Sequence, residues 1–363
     1  MSQTKFVRLA PFTVEQRTTI AVAATNFFSV QDPNEIYSIL GKSRQGNTIQ
    51  PLSGFEFLTY LDAKGILPEA RRYQYIIGRL LDALEAAGWL TFMGVSHSTM
   101  LPKTYYSMKQ ATNIEGRGLY MLAQPLGVDF LHRLIEPNLI HITGTLKGDV
   151  HAGTGILIDK NIILTCAHVI NDMKLDEALT IRGVSHRVKR EVTHQDIDVG
   201  LIYLDGQADN NTGALPFVEP ELGMNVAIFG YPKIPIARTA PLTLQKGEVT
   251  CAEIYTVFSQ RLFLFSAIAR PGNSGGPILS TSGQFLGLVS QDVTLDDKPS
   301  KQNESGSVKQ KRKNEKTKDE SRCEDDTKWS AFSPHYCGIP TGEVVRAVRG
   351  LDPAIVLPVE DYQ

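Results

Sequence analysis

The sequence predicts a multidomain α+β protein: an N-terminal helical domain, then an all-β domain that contains a disordered insertion. Three observations lead to this prediction. Apolar residues recur at helical spacing in the first third of the chain, and short β-rich runs separated by turns recur from about residue 140. A polar, highly charged stretch interrupts the β-rich part. The chain has 363 residues, enough for more than one domain, and we place the domains at 1–135 and 136–363.

Apolar side chains at helical spacing mark the helices of the first domain. The pattern predicts helices within 14–28 and 54–61, and most clearly over 71–87. In the last of these, one apolar stripe is formed by Ile76, Ile77, Leu80, Leu81 and Leu84. Gly88 follows directly and is a typical residue for a helix end. We expect a short strand over 89–92, a polar loop, and a return strand over 104–108.

This order of helix, glycine, strand, loop and strand resembles the last helix and the wing of a winged-helix domain. Such domains often bind DNA by placing a helix in the major groove. Residues 1–135 carry 13 Lys/Arg against 10 Asp/Glu, a small excess that forms no long basic stripe. We therefore favour docking of a regulatory protein partner, and DNA binding is the alternative.

The β-rich part begins with a hairpin pattern, two apolar runs at 155–158 and 161–164 that are separated by Asp159 and Lys160. Further short strands follow at fairly regular spacing, over 186–192, 199–204, 224–229, 242–252, 261–266 and 284–290. Many short strands with turns between them are typical of an all-β barrel or sandwich. Residues 335–348 are expected to form a last strand that leads into a short helix.

The charged stretch lies at 292–334. Residues 292–328 hold 10 Lys/Arg and 10 Asp/Glu with almost no large apolar residues. Such a segment cannot bury enough apolar surface to offset the entropy of ordering its chain, so we predict a disordered insertion. Its most basic part, 309–318, is similar to a nuclear-localisation or nucleic-acid-binding tract, but the interspersed acids favour a solvated loop.

Composition narrows the function classes. The formal net charge is −2, so the chain as a whole shows no preference for nucleic acid or an anionic membrane. The four cysteines have no paired spacing, which predicts neither a disulfide scaffold nor a metal cluster and fits a reducing compartment. No secretory signal and no apolar run of about 18 residues is present. We expect a cytoplasmic protein without a metal, a cofactor or a membrane partner.

The run ARPGNSGGPIL at 269–279 is the most informative stretch. It is too glycine-rich for a helix and too stiff for a flexible linker, which indicates a tight backbone path that holds Ser274 in place. A serine nucleophile needs a neighbouring base held by a carboxylate. His168 follows an apolar strand and small residues, and Asp198 directly precedes an apolar strand. Asp196, on the same face of an extended chain, is the second choice for the carboxylate.

Three stretches taken together, GTGILIDKNIILTCAHVI, DVGLIYL and RPGNSGGPIL, resemble the trypsin-like serine proteases, and among them the HtrA-like and intracellular bacterial members. The resemblance covers about 140–358, includes YCGIPTGEVVRAV near the end, and does not extend to 1–135. It implies a double β-barrel. It also implies a triad in which Ser274 attacks the scissile carbonyl, His168 transfers the proton and Asp198 orients His168.

The resemblance also implies how the transition state and the substrate are bound. The N–H groups of Gly272 and Ser274 would form the oxyanion hole. Ile268 would line the floor of the primary pocket and Gly338 its far wall. Ser290 and Gln291 would belong to the edge strand that pairs with the substrate. An apolar floor without an acid predicts a small or medium apolar residue before the scissile bond.

One departure from the family concerns activation. Digestive-type members carry an aspartate before the nucleophile, which pairs with a new N-terminus after cleavage of the zymogen. Here the residue is Asn273, and no Ile-Val-Gly-Gly sequence precedes the domain. We therefore expect control by the N-terminal domain or by the insertion.

The resulting prediction is a cytoplasmic serine endopeptidase that acts on protein or peptide substrates. Its N-terminal domain would dock a regulatory protein, in a bacterial stress or anti-phage system. Two alternatives remain open at this point: a DNA-bound winged-helix regulator with a proteolytic output, and a catalytically silent scaffold.

Overall fold

The computed structural model describes residues 9–30, 34–43, 50–107, 119–208, 215–257, 259–290 and 336–360. The predicted disordered insertion at 292–334 lies outside these residues, as do Gln291 and the last residue of the return strand expected over 104–108. Within the described ranges a helical N-terminal part precedes a β-rich part, so the predicted order of the two parts is confirmed.

The N-terminal part contains helices α1 (Val14–Phe27), α2 (Asn34–Ile39), α3 (Gly54–Ala63) and α4 (Gln74–Ala86). Capping boxes at Thr13 and Ser53 start α1 and α3. In each box the cap hydroxyl accepts the backbone N–H of the residue three positions on, and the side chain of that residue accepts the backbone N–H of the cap residue. Strands β1 (Leu52–Ser53), β2 (Thr91–Val95) and β3 (Lys103–Tyr106) form a sheet in the order β1-β3-β2.

The strand expected over 89–92 begins later than the sequence predicts, at Thr91. Helix α4 ends in a Schellman motif: the Trp89 N–H donates to the Leu84 carbonyl at 2.8 Å and the Gly88 N–H to the Glu85 carbonyl at 2.9 Å. Gly88 has φ +71°, as this motif requires. The backbone N–H of Trp89 is therefore bonded within the helix end, and Trp89 is buried and does not belong to the sheet.

Two short helices, α5 (Ala123–Leu126) and α6 (Val128–Ile135), connect the N-terminal part to the β-rich part. Arg17 of α1 donates to the Leu126 carbonyl at 2.9 Å and pairs with Asp129. His132, also in α6, lies with its ring 6.1 Å from the ring of Phe229 in the second β unit. The hydrophobic core runs without a break from α1 through α6 into the first strand that follows, and the two-domain division at 135 stays a prediction.

The first β unit is a seven-stranded antiparallel sheet in the order β7-β4-β5-β6-β10-β9-β8. Its strands are β4 (Leu139–Leu146), β5 (Asp149–Asp159), β6 (Ile162–Thr165), β7 (Lys174–Leu175), β8 (Ala178–Ile181), β9 (Val184–Thr193) and β10 (Gly200–Leu204). The predicted hairpin over 155–164 is formed by the end of β5 and by β6. A short helix, α7 (Ala167–Asn171), follows β6.

The second β unit is a closed barrel in the order β11-β12-β13-β16-β15-β14. Its strands are β11 (Asn225–Gly230), β12 (Thr243–Tyr255), β13 (Arg261–Phe265), β14 (Pro277–Ser280), β15 (Phe285–Val289) and β16 (Tyr336–Pro340), and helix α8 (Thr341–Leu351) follows. The strand and helix expected over 335–348 are β16 and α8. Across the described ranges, no helix has both the length and the apolar character that crossing a bilayer requires.

Candidate active site

Segments from the two β units line one cavity of about 420 Å³. The first β unit contributes His168, at the second position of α7, and β10 is preceded by the turn that holds Asp198. The second unit contributes Ser274, in the turn before β14. His168 and Ser274 both line the cavity, and Asp198 lies behind His168.

The pair of His168 and Asp198 is fixed at two points. The carboxylate Oδ2 lies 2.7 Å from the imidazole Nδ1, and Oδ1 accepts the backbone N–H of His168 at 2.9 Å. The carboxylate therefore sets both the ring orientation and the tautomer, with the proton on Nδ1 and a lone pair on Nε2. Nε2 is buried and hydrogen-bonds to none of the described residues, so it is left to act as a base.

Cys166 lies at the back of this pair. Its side chain is fully buried and its Sγ contacts the Val289 carbonyl at 3.4 Å. Burial raises the pKa of the thiol, and the negative charge of Asp198 raises it further. Donor atoms of Cys166, His168 and Asp198 lie within 4.8 Å of one another. They fit a metal poorly, because the thiol stays protonated and the carboxylate is already bonded to the imidazole.

The turn before Ser274 has a defined type. The Asn273 N–H donates to the Arg270 carbonyl at 2.9 Å, and Gly272 has φ +100°. Pro271 fixes a negative φ at the preceding position, so the turn is type II with proline and glycine at its two central positions. The pattern of residues in RPGN is the one that this turn prefers.

The turn directs two N–H groups towards the cavity. The Lys233 N–H donates to the Pro271 carbonyl at 3.2 Å, so the Gly272 N–H on the other side of that trans peptide points the opposite way. Within the described part of the chain, neither the Gly272 N–H nor the Ser274 N–H donates to a protein acceptor. Both donors are available to an oxyanion, as the resemblance implied.

Glycine is required at both flanks of Ser274. A Cβ on Gly272 would lie 2.5 Å from the Tyr231 carbonyl oxygen. Gly275 has φ +78°, and a Cβ there would lie 2.1 Å from Thr165 Oγ1. No other residue fits these positions without moving the backbone.

Ser274 itself is partly exposed, at the wall of the cavity. Its carbonyl accepts the Thr154 N–H at 2.9 Å, which holds the main chain of the nucleophile. No hydrogen bond joins its hydroxyl to His168 Nε2 in this structure. Long contacts between nucleophile and base are common in free enzymes and shorten when the substrate binds.

The residues expected to bind the substrate are not all found together. Ser290 lines the cavity, and its hydroxyl donates to Asp198 Oδ2 at 3.4 Å. Ile268 does not line the cavity and is 47% exposed. Gly338 faces the barrel interior, because a Cβ there would lie 2.5 Å from Phe263 Cε1. The roles of Ile268 and Gly338 in substrate binding stay predictions, and Gln291 lies outside the described residues.

The cavity wall next to Ser290 is formed by residues that the sequence analysis did not select, namely Ala269, Pro271, Val289 and Tyr336. Segment 266–269 has no regular structure, so the residue that lines the cavity could not be found by counting back from Ser274. Ala269 lines the cavity, one position after Ile268. Tyr336 begins β16 opposite Phe265, and its ring stacks on Phe265 at 6.1 Å. The sequence signal for this wall was Tyr336, an aromatic residue at the start of the last strand.

Asp196, the second choice for the carboxylate, is exposed and bonds through its backbone to His194 Nδ1 at 3.1 Å. It lines a separate cavity of about 290 Å³ on the other side of Asp198. Of the two acids, Asp198 contacts the imidazole and Asp196 does not, and the catalytic role of Asp198 stays a prediction.

The two β units, with a histidine–carboxylate pair and a glycine-bounded serine at one cavity, have the architecture of a protease. Residues 153–288 match the model of the trypsin-like peptidase domain. This part of the chain is thus a trypsin-like peptidase domain, and the family predicted from the sequence motifs is confirmed.

Three proteins that are similar to this chain share 30% or less of its aligned sequence. The uncharacterized protein y4bJ of Sinorhizobium fredii is 30% identical over 144 residues, which are 38% of this chain and 21% of that protein's length. The inactive form of the Rv3671c protease of M. tuberculosis superposes with a TM-score of 0.42 at 17% identity, over 61% of this chain and 92% of the other. A serine endoprotease from Yersinia pestis gives 0.42 and 17%, over 62% and 66%.

Proposed function

We propose that the chain is a serine endopeptidase that hydrolyses peptide bonds in protein or peptide substrates. The observation that carries this proposal is the shared cavity, where Ser274 meets an oriented imidazole and two free N–H groups. The sequence placed His168, Asp198 and Ser274 in these roles, and each role remains part of the proposal.

The chemistry follows from the geometry of these groups. Ser274 Oγ attacks the scissile carbonyl while His168 Nε2 takes the hydroxyl proton, and Asp198 stabilises the imidazolium that forms. The oxyanion of the tetrahedral intermediate accepts hydrogen bonds from the Gly272 and Ser274 N–H groups. The C–N bond then breaks as His168 returns the proton to the leaving amine. Water hydrolyses the acyl-enzyme by the same steps, with His168 again as base.

The preferred substrate residue before the scissile bond is small or medium-sized and apolar. Ala269, Val289 and Tyr336 support this proposal, because they give the cavity an apolar lining. The acid among the described lining residues, Asp172, caps the end of α7 on the His168 side. The preference is the one expected from the sequence, although Ala269 takes the place that Ile268 was given.

We assign the N-terminal part as a winged-helix-like module that docks a regulatory protein. Its order of α1, α2, β1, α3, α4, β2 and β3 supports this assignment. The side chains of β2 that would form the wing are apolar and exposed, including Phe92, Met93 and Val95. The basic residue of the hairpin, Lys103, is paired with Asp82 and Glu85 at 2.9 and 3.0 Å. An apolar wing suits a protein partner better than a phosphate backbone.

DNA binding stays the second candidate for this module. The exposed residues just before and within α4 include three arginines, Arg71, Arg72 and Arg79, beside Gln74 and Tyr75. Binding of a duplex that weakens steeply with salt would support it. The setting that we propose is regulated proteolysis in a bacterial stress or anti-phage system in the cytoplasm. The four cysteines of the sequence have no paired spacing, which supports a reducing compartment.

The test is covalent labelling with a fluorophosphonate probe. Wild type, Ser274→Ala and His168→Ala are incubated with the probe, and the intact chains are weighed by mass spectrometry over time. We expect one adduct on the wild type, none on Ser274→Ala, and labelling of His168→Ala slowed by at least about 10³-fold. A folded wild type that takes no label would support the silent scaffold instead.

A further inference from the structure

Thr154, a fully buried residue of β5, uses every polar atom that it has. Its hydroxyl donates to the Gly272 carbonyl at 2.7 Å and accepts the Tyr231 N–H at 3.0 Å. Its backbone N–H donates to the Ser274 carbonyl at 2.9 Å, and its carbonyl accepts the Thr165 hydroxyl at 2.8 Å. Thr154 therefore contacts the turn that carries the nucleophile and the strand that leads to His168.

Three successive contacts hold the carbonyls of this turn. The Pro271 carbonyl accepts the Lys233 N–H, the Gly272 carbonyl accepts the Thr154 hydroxyl, and the Ser274 carbonyl accepts the Thr154 N–H. The Gly272 N–H shares a peptide with the Pro271 carbonyl, and the Ser274 N–H shares one with the Asn273 carbonyl, which accepts the Gly276 N–H at 2.9 Å. The Thr154 hydroxyl holds the Gly272–Asn273 peptide, which joins these two peptides. Rotation of the Gly272–Asn273 peptide would leave a buried carbonyl without a donor, which is the costly outcome for a backbone group.

The side chain of Asn273 does not supply this anchor. It is almost fully buried, and within the described part of the chain its Oδ1 accepts no hydrogen bond. The nearest neighbours of that oxygen include the backbone of Gly230, where a Cβ would lie 2.8 Å away. The orientation of the turn therefore depends on bonds to its main chain.

We propose that Thr154 is a positioning residue, whose hydroxyl bridges the Tyr231 N–H and the Gly272 carbonyl and holds the oxyanion donors in place. The inference deepens the proposed function and rests on it for its consequence in catalysis. Thr154 touches neither the substrate nor the reacting atoms, so its effect is on the transition state through the turn and not on ground-state binding.

Tyr231 extends the bridge to the start of the first β unit. Its phenol donates to the Leu139 carbonyl at 3.2 Å, and its ring stacks on His141 at 4.9 Å. Leu139 is the first residue of β4 and follows the helical connection directly. Displacement of the N-terminal helices would thus reach the oxyanion turn through Leu139, Tyr231 and Thr154.

Two substitutions at one position separate the hydroxyl from the packing. Thr154→Val keeps the shape and removes the hydroxyl, whereas Thr154→Ser keeps the hydroxyl and removes a methyl group. With a chromogenic peptide ester we expect Thr154→Val to lower kcat by roughly 10- to 100-fold with KM within about twofold, because oxyanion stabilisation is lost. Thr154→Ser should keep kcat within about threefold. Equal losses in both variants, or full activity of Thr154→Val, would overturn the proposal.

A second readout keeps this inference separate from the proposed function. Hydrogen–deuterium exchange followed by mass spectrometry reports on peptides that span 270–276, where the Asn273 and Gly276 N–H groups are bonded within the turn. We expect faster exchange there in Thr154→Val and wild-type exchange in Thr154→Ser. A wild type without activity in which this difference appears would refute the endopeptidase assignment alone. An active wild type whose turn exchanges identically in both variants would refute the role of Thr154 alone.

Discussion

The two sides of the cleft hold their functional groups by different means. On the first β unit, the carboxylate of Asp198 holds His168 through two bonds, one to the imidazole Nδ1 at 2.7 Å and one to the backbone N–H at 2.9 Å. On the second, the nucleophile and its oxyanion donors are held by main-chain bonds and by glycines with positive φ. The histidine side should therefore be most sensitive to loss of the carboxylate charge, and the serine side to replacement of a glycine with positive φ.

The largest effect is expected on the histidine side from Asp198→Asn. The amide would keep the shape but donate to Nδ1, which would leave the proton on Nε2 and remove the base. We expect kcat to fall by about 10⁴-fold with little change in KM. Steady-state kinetics measure it, with Asp196→Asn as the matched control. Comparable losses in the two variants would mean that the acids share the role.

A smaller effect is expected on the serine side from Gly272→Ala. The Cβ would meet the Tyr231 carbonyl at 2.5 Å in a backbone with φ +100°, so the turn must move and its N–H must leave the oxyanion position. We expect acylation by the fluorophosphonate probe to slow by about 10²- to 10³-fold.

Gly223→Ala is the control for Gly272→Ala, because Gly223 has φ +83° with no atom within 4 Å of the added Cβ. It should cost about 1 kcal/mol of unfolding free energy through backbone strain and leave acylation unchanged. If Gly272→Ala is acylated as fast as Gly223→Ala, the Gly272 N–H does not stabilise the oxyanion.

The smallest effect is expected from pH at His141, which packs on Tyr231 behind the serine side. Burial lowers the pKa of His141 below its usual 6.5. The unfolded chain therefore takes up a proton first, so the stability contributed by neutral His141 is complete above pH 6.5 and is lost as pH falls towards the folded-state pKa.

His141→Phe keeps a ring against Tyr231 and removes the proton site. Urea unfolding at pH 7.5 and 5.5 should show a smaller loss of unfolding free energy in the variant than in the wild type. The other histidines contribute equally to both proteins. A pH dependence that the substitution leaves unchanged would contradict the assignment.

The same contrast explains what could be predicted from sequence. His168, Asp198 and Ser274 lie in short motifs with local strand and turn chemistry. The structure places His168 and Ser274 at one cavity with Asp198 against His168, and their catalytic roles stay predictions. Ile268 and Gly338 required the register of irregular or barrel-lining segments, where a shift of one residue turns a side chain from the cavity to solvent or to the core.

Thr154 lies in one of the stretches that carry the family resemblance, but the sequence did not predict its contact with the Gly272 carbonyl, which lies 118 positions away. The helical character of the first third and the strands of the β part followed from periodicity, but the start of β2 did not. The Schellman motif after α4 withdrew Trp89 and Leu90 from the strand, a tertiary preference that local β propensity does not report.

The unbroken core between α1 and β4 has a consequence for how the protein could be divided. Leu131 and Ile135 of α6 are buried in the same cluster as Ile20 and Phe27 of α1. A chain trimmed to begin at 136 would have lost these apolar partners and would present Ile140 and its neighbours to water. The helical part therefore covers apolar surface of the peptidase domain, and a chain trimmed to begin at 136 should aggregate.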